Sequence, residues 1–331
     1  MKTDQKASDD CVVRLTHVVK YFDQSRPLSL WKREHTRIYA LNDVSFTLRP
    51  GEFVAYAGPN GAGKSTTFKL LAGMLRAQQG QVELFGVDPC AARIEVMRRT
   101  GVLFGNRSEL WWDHPVRASF EWKQAVWDIP SEVYRRNVAR LRELLDLDPL
   151  WNTFARELSL GQRMRADLAL ALLHSPSLVL LDEPTLGLDV LAKRRMIDFL
   201  KLANQELGVT LLVTSHDMDD LAEMSHRLLL INQGRLAFDG TYDALLRQTG
   251  DPRLIRLVTA SAPPVVEGLT LAERSGNRYT YRYDGAKISS PLLFALLSGI
   301  PGIRDIQMEP ENIETVIANL YRQWSAEKKD Y

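Results

Sequence analysis

Cysteine is nearly missing from this chain. Cys11 and Cys90 are its only two, so it has neither a disulfide framework nor a thiolate metal pattern, and a reducing compartment fits. It also lacks a long apolar run. The longest, Leu168–Leu173, is broken by His174, Ser175 and Pro176, whereas a membrane-spanning helix needs about 20 apolar residues. Net charge is only +1 in 331 residues, which removes a general basic bias towards nucleic acid, so no nucleic-acid partner is expected. The start, Met1 to Asp10, is polar and acidic, and reads as a tail over residues 1–11 rather than a signal peptide. No low-complexity segment or internal repeat stands out. The hydrophobic share of 45% and charged share of 25% fit a globular protein, long enough for one large domain and a smaller one.

Against these absences stands one dense run: Gly58, Pro59, Asn60, Gly61, Ala62, Gly63, Lys64, Ser65, Thr66. It fits G-x-x-x-x-G-K-[ST], the phosphate-binding loop. An apolar strand from about Phe53 to Ala57 leads in. The glycines let the backbone turn its N–H groups inward. Lys64 starts a helix whose dipole faces the anion, and Phe68, Leu70, Leu71 and Leu75 give that helix an apolar side. Lys64 would reach the β- and γ-phosphates of a nucleotide, and Ser65 would place its hydroxyl on Mg²⁺.

Further along, Val179–Leu181 is an apolar run without polar alternation, as in a buried parallel strand. Asp182 stands at its carboxyl end, where ligands of open α/β sheets collect. Asp182 would hold Mg²⁺ through water, and Glu183 would polarise the attacking water. Leu211 to His216 is a second apolar strand that ends in a polar cluster, and His216 there is placed to contact the γ-phosphate. Upstream, Ser159 can cap the helix that begins after it. The free N–H groups there make a second anion site.

Taken together these residues resemble the ATP-binding subunits of ABC transporters, over about residues 12–245. Gly58–Thr66 matches the Walker A loop. Leu158-Ser159-Leu160-Gly161-Gln162 matches the family signature, with Leu160 in place of the usual glycine. Leu178–Glu183 matches Walker B, Leu186–Asp189 the D-loop, and His216 the switch histidine. Tyr21 falls where an aromatic residue stacks on adenine. The usual Q-loop glutamine is replaced, Asn106 being the equivalent in Gly101–Arg107, and its shorter amide would face Mg²⁺ or water. A plain turn residue beside Gly105 is the alternative for Asn106.

The resemblance implies a fold and a mechanism. The fold is α/β: a P-loop ATPase core with an antiparallel β subdomain, a helical subdomain over about 105–155, and a small C-terminal α/β domain over 250–331. The cofactors are ATP and Mg²⁺. Ser159, Gly161, Gln162 and Asp189 would serve ATP held in the Walker loop of a second subunit, so two ATPs join a head-to-tail homodimer or heterodimer. A membrane-spanning permease encoded separately would be the partner, and the subunit would lie peripherally on the cytoplasmic face of the inner membrane. A closer likeness is to bacterial export-type subunits with Leu-Ser-Leu-Gly-Gln-Arg-Met-Arg and an upstream Trp111-Trp112-Asp113. A soluble ABC-type ATPase in repair or assembly is the alternative. A regulator that binds ATP without turnover is a third reading, and the presence of Glu183 and His216 weighs against it.

The remaining segments read less sharply. Cys11–Val19 and Ile38–Leu48 have strand composition, and Asp23–Arg37 between them, with Arg26, Lys32, Arg33 and Arg37 around Trp31, is expected to be a solvated loop, the alternative being contact with anionic lipid headgroups. After residue 250, short strands are expected at Leu254–Val258, Arg278–Tyr283 and Ile303–Met308, with helices at Ser290–Leu297 and Asn312–Trp324.

Overall fold

The computed structural model describes residues 11–29, 32–105, 107–215, 217–249, 251–259, 266–311 and 313–326. Asn106, His216 and Trp31 lie outside the described residues, as does the tail up to residue 10. The chain forms two compact units, Met1–Asp239 and Gly240–Tyr331.

In the first unit, β1 (Val13–Ser29) and β2 (Lys32–Leu48) form a long antiparallel hairpin. β3 (Phe53–Ala57) runs through the phosphate loop into α1 (Lys64–Leu71). Next come β4 (Gln79–Leu84), α2 (Arg93–Arg98) and β5 (Thr100–Phe104). Helices α3 (Val116–Val126), α4 (Ser131–Leu144) and α5 (Leu160–Leu172) follow. Strands and helices then alternate: β6 (Leu178–Asp182), α6 (Val190–Leu207), β7 (Thr210–Thr214), α7 (Met218–Met224), β8 (Arg227–Asn232) and β9 (Arg235–Gly240).

Six of these strands make one sheet in the order β5-β6-β7-β3-β8-β9. The pairs β5/β6, β6/β7, β7/β3 and β3/β8 are parallel. β3 and β7 are buried at every position, which is why their sequences show no polar alternation. Parallel register puts all their carboxyl ends on one edge, with Asp182 opposite Thr214 and Phe104 opposite Asp182. α1 buries Thr67, Phe68, Leu70 and Leu71, and the Tyr56 hydroxyl hydrogen-bonds the Thr67 hydroxyl at 2.9 Å inside that contact. A second sheet, β2-β1-β4, is antiparallel.

Two sequence expectations need correction. Asp23–Arg37 is not a loop. β1 and β2 continue through it as a two-stranded ribbon, with Asp23 opposite Arg37 and Arg26 opposite Glu34. The ladder there closes across the hairpin itself, so it needs no hydrophobic alternation. β4 pairs with β1 only up to Val19, which leaves open edges that tolerate Pro27. The stretch from Arg107 to Pro115 is not helical either; the first helix after it begins at Val116.

The second unit holds α8 (Tyr242–Thr249), β10 (Pro252–Thr259), β11 (Thr270–Ser275), β12 (Arg278–Asp284), α9 (Ser290–Ser298), β13 (Ile303–Pro310) and α10 (Ile313–Ala326). Its sheet runs β11-β12-β10-β13. Ile255, Leu257, Tyr279, Tyr281 and Tyr283 pack with Leu293 and Leu297 of α9. β11 escaped the sequence reading because all six of its residues are exposed, so no buried face marks it.

Candidate active site

The phosphate loop leaves the end of β3 and closes with a turn, the Ala62 N–H donating to Pro59 O at 3.1 Å. Gly63 has φ +116°, and a Cβ there would lie 2.4 Å from the Ala40 carbonyl oxygen, so only glycine fits between the loop and β2. Lys64 is 6% exposed. Its ammonium donates to Gly58 O at 2.6 Å and Pro59 O at 3.3 Å. Burial pulls its pKa down, and Glu183 and then Asp182 pull it back up.

Ser65 Oγ–H donates to Asp182 Oδ2 at 3.3 Å. Thr214 Oγ1–H donates to Asp182 Oδ1 at 2.7 Å, and the same hydroxyl accepts the Glu183 N–H at 3.0 Å. Glu183 has φ +58°, an uncommon conformation for a side chain of this kind and of the sort that collects at functional sites. A cleft beside Ser65, Asp182 and Glu183 is also lined by Phe104, Gly105 and Arg107. Thr214 and Arg107 were missed in the sequence. The signal for Thr214 was a polar residue ending an apolar strand. Arg107 offered none beyond its place next to position 106.

The signature builds a different cleft. Ser159 caps α5 in a reciprocal box, accepting the Gln162 N–H at 3.3 Å while its own N–H donates to Gln162 Oε1 at 2.9 Å. Asp189 caps α6 by accepting the Ala192 N–H at 2.8 Å. The two helix starts are so close that a Cβ on Gly161 would lie 2.9 Å from Ala192 Cβ. Ser159, Gly161, Gln162, Arg165 and Asp189 line one cleft of about 290 Å³. Leu160, the departure from the usual signature, puts Cδ2 3.2 Å from where a Cβ on Gly187 would be, so it packs on the Leu186–Asp189 loop. None of Ser159, Gly161, Gln162 and Asp189 lines the cleft beside Ser65.

The start of α7 is tied to α6 and to Thr185. Lys193 of α6 pairs with Asp217, and with Asp220 at 2.9 Å, and Thr185 Oγ1–H donates to Asp220 Oδ2 at 3.2 Å. Tyr21 stands on β1 opposite Tyr39. Trp111 and Trp112 are 38% and 57% exposed. Trp111 leans on Trp122, ring centroids 5.5 Å apart, and its backbone N–H donates to Ser119 Oγ at 2.9 Å. Trp112 is therefore the freer indole. No helix among the described residues is long and apolar enough to cross a membrane.

Comparison with known proteins gives this geometry a family. The profile described as ABC transporter matches residues 41–186. A Methanosarcina mazei protein, named for the ABC transporter ATP-binding proteins, is 30% identical over 243 residues, 73% of this chain and 73% of its own length. The Escherichia coli "Probable multidrug ABC transporter ATP-binding protein YbhF" is 33% identical over 213 residues, 64% of this chain; the match spans only 36% of YbhF. The "Sulfate/thiosulfate import ATP-binding protein CysA" of Nephroselmis olivacea is 34% identical over 197 residues, 60% of this chain and 57% of its own length. Among solved structures, a dimeric ATP-binding cassette bound to ADP and Pi aligns with TM-score 0.57 at 24% identity, covering 69% of this chain and 98% of that one; that likeness is one of fold. The chain belongs to the ABC transporter ATP-binding proteins, and it is an ATPase with the P-loop α/β fold of that family.

Proposed function

We propose that this chain powers a separately encoded membrane permease, as an export subunit on the cytoplasmic face of the inner membrane, by closing two copies head to tail on two ATPs. The observation that carries this reading is the split site. Lys64, Ser65, Asp182, Thr214 and Glu183 gather at the phosphate loop, while Ser159, Gly161, Gln162 and Asp189 gather in another cleft. One copy then has half of each of two sites, and the α5 start of a second copy completes the first. Val190 and Leu191, 82% and 73% exposed beside Asp189, are apolar surface that such a partner would cover.

The roles follow from the chemistry. The loop N–H groups of 58–66 and the Lys64 ammonium hold the β- and γ-phosphates. Ser65 Oγ and Asp182 Oδ2 are neighbouring hard oxygen donors and fit Mg²⁺, which when bound offsets phosphate charge. Glu183 accepts the proton of the attacking water. The amide of Asn106 and the imidazole of His216 are assigned the metal-side and γ-phosphate contacts, and Tyr21 the adenine. A short cytoplasmic helix of the permease is assigned to the Trp111–Trp112 segment.

Export rather than import rests on the likeness of Leu158–Arg165 and Trp111–Asp113 to export-type subunits, and on YbhF, whose name says multidrug; CysA, an import protein by name, is the counterweight. The test is purification with a multi-span membrane protein, then ATP-driven transport in inverted vesicles. Accumulation inside the vesicles is the expected result. ATP-driven loss reverses the direction, and turnover with no membrane association overturns the transport role.

A further inference from the structure

The stretch from Arg107 to Trp111 joins the catalytic cleft to the exposed indoles, and none of its residues is in a helix or strand. Side chains hold it instead. Asp167 of α5, itself buried, accepts Ser108 Oγ–H at 2.9 Å and the Glu109 N–H at 3.0 Å, both on Oδ1. The Leu110 N–H donates to Ser108 Oγ at 3.1 Å. Lys123 of α3, also buried, donates to Glu109 Oε2 at 2.6 Å. Burying a carboxylate costs far more than burying an apolar side chain, so packing does not account for Asp167. What it adds is a fixed position for Ser108 and Glu109.

Asp167 also lies on the helix that carries the signature. That helix meets β5 near its far end, where a Cβ on Gly101 would lie 2.6 Å from Ala171 O. Backbones this close leave little room to slide, so the helix is pinned there. Asp167 stands about one turn from the pinned point, and Ser159 about three turns from it. A displacement of Ser108 and Glu109, carried to α5 by Asp167, therefore arrives about threefold larger at the Ser159 end. On the other side of Ser108, Gly105 and Arg107 line the cleft beside Ser65, Asp182 and Glu183.

We propose that Asp167 is a positioning residue that couples the two ATP sites within one chain. It transmits the state of the chain's own phosphate-loop site, through Ser108 and Glu109, to the α5 start that completes the site on a second copy. The proposal rests on the shared-site reading and names the residue through which its two halves communicate. A nucleotide that shifts Gly105–Arg107 draws Ser108 and Glu109 with it. The rigid helix turns that shift into a reorientation of Ser159 and the N–H groups at the helix start. Asp167 lines neither cleft. Without the tie each site keeps its own residues and stops reporting to the other.

The Mg-ATP dependence of turnover by the full chain tests this, because coupled sites give a sigmoidal curve. The native Hill coefficient should lie above about 1.4, with the number of sites as its ceiling, and Asp167→Leu should bring it to about 1. The affinity of the chain's own loop for Mg-ATP is read in a Ser159→Arg background, where no dimer is expected. There Asp167→Leu should change it by less than about twofold, as for a distant and independent group. Asp167→Asn keeps an oxygen where both bonds land and should restore the sigmoid; an equal defect in the two variants overturns the hydrogen-bonded tie. Ser108→Ala removes one of the two bonds and should give an intermediate coefficient, which keeps the test open should Asp167→Leu not fold. A native coefficient in Ser108→Ala and in whichever Asp167→Leu protein folds overturns the proposal, and so does a hyperbolic native curve. Loss of loop affinity alongside the loss of cooperativity assigns Asp167 to folding and overturns the coupling role. If Ser159→Arg still forms the ATP-dependent dimer, the shared site itself fails and the tie falls with it.

Discussion

Ser65 and Asp182, 117 residues apart in the chain, meet with hydroxyl and carboxylate oxygens at 3.3 Å. The contact joins the first turn of α1 to the end of β6, and in the sheet β7 lies between β6 and β3, the strand that leads into α1. Disturbing the carboxyl edge of this sheet should therefore affect turnover before it affects folding.

Glu183→Gln removes the proton acceptor and keeps the shape. ATP binding should persist, and hydrolysis should slow by about 10²–10⁴-fold, the usual contribution of a general base. Steady-state phosphate release together with nucleotide affinity checks it. Turnover at the native rate would show that another group activates the water.

Thr214→Val deletes the hydroxyl that donates to Asp182 and accepts the Glu183 N–H, at nearly constant volume. Each lost buried bond costs about 1–3 kcal/mol. Turnover should fall by about 10- to 100-fold with the ATP affinity nearly kept. An equal loss in both would mean that Thr214 supports binding rather than catalytic geometry.

Ser159→Arg puts bulk at the start of α5, outside the loop that holds the chain's own nucleotide. Nucleotide binding should survive. In a Glu183→Gln background, the ATP-dependent dimer seen by light scattering should be lost. A dimer that still forms would argue against a shared site.

Trp112→Ala removes the freer indole of its segment. Basal ATPase of the isolated chain should be near native, and binding to the permease should weaken by about 2 kcal/mol if the indole is a hot spot. Undiminished capture of the permease by this variant and by Trp111→Ala would remove the segment from the coupling surface.

The pH dependence of stability hides two opposing groups. Asp167 on α5 is 3% exposed and accepts from Ser108 Oγ–H at 2.9 Å and Glu109 N–H at 3.0 Å. Burial pushes its carboxyl up to about 6, and the hydrogen bonds offset only part of that. A raised carboxyl binds its proton more tightly in the folded chain, so its contribution is present at acidic pH and lost as pH rises from about 4 through 6. His174, stacked on Trp127, has the opposite sign. Burial first, then Lys123, pulls its imidazole down to about 4. Its contribution is present above the unfolded value near 6.5 and lost as pH falls towards 4. Asp167→Asn should therefore make stability rise between about pH 4 and 6.5, and His174→Gln should make it fall over that range. Urea unfolding at several pH values checks this; parallel profiles for the two variants would contradict it.

The phosphate loop and the strands that present it were legible in the sequence. Gly58–Thr66, Leu178–Glu183 and Leu211–Ser215 are contiguous, and contiguous residues set both a turn's backbone and a buried strand's apolar run. The Ser159–Gln162 cap was legible for the same reason, since its hydrogen bonds span three residues. Tertiary structure alone decided the rest. Thr214 is one polar residue at a strand end until β7 pairs in register with β6 and sets it level with Asp182. Leu160 looks like a defect in the signature until Gly187 comes up against it. The ribbon through Asp23–Arg37 was invisible because its strand pairing closes across a hairpin, between residues far apart in the local run. Arg37 lies over Tyr21 because that hairpin sets Asp23 and Arg37 opposite each other, a register that no local run of residues encodes.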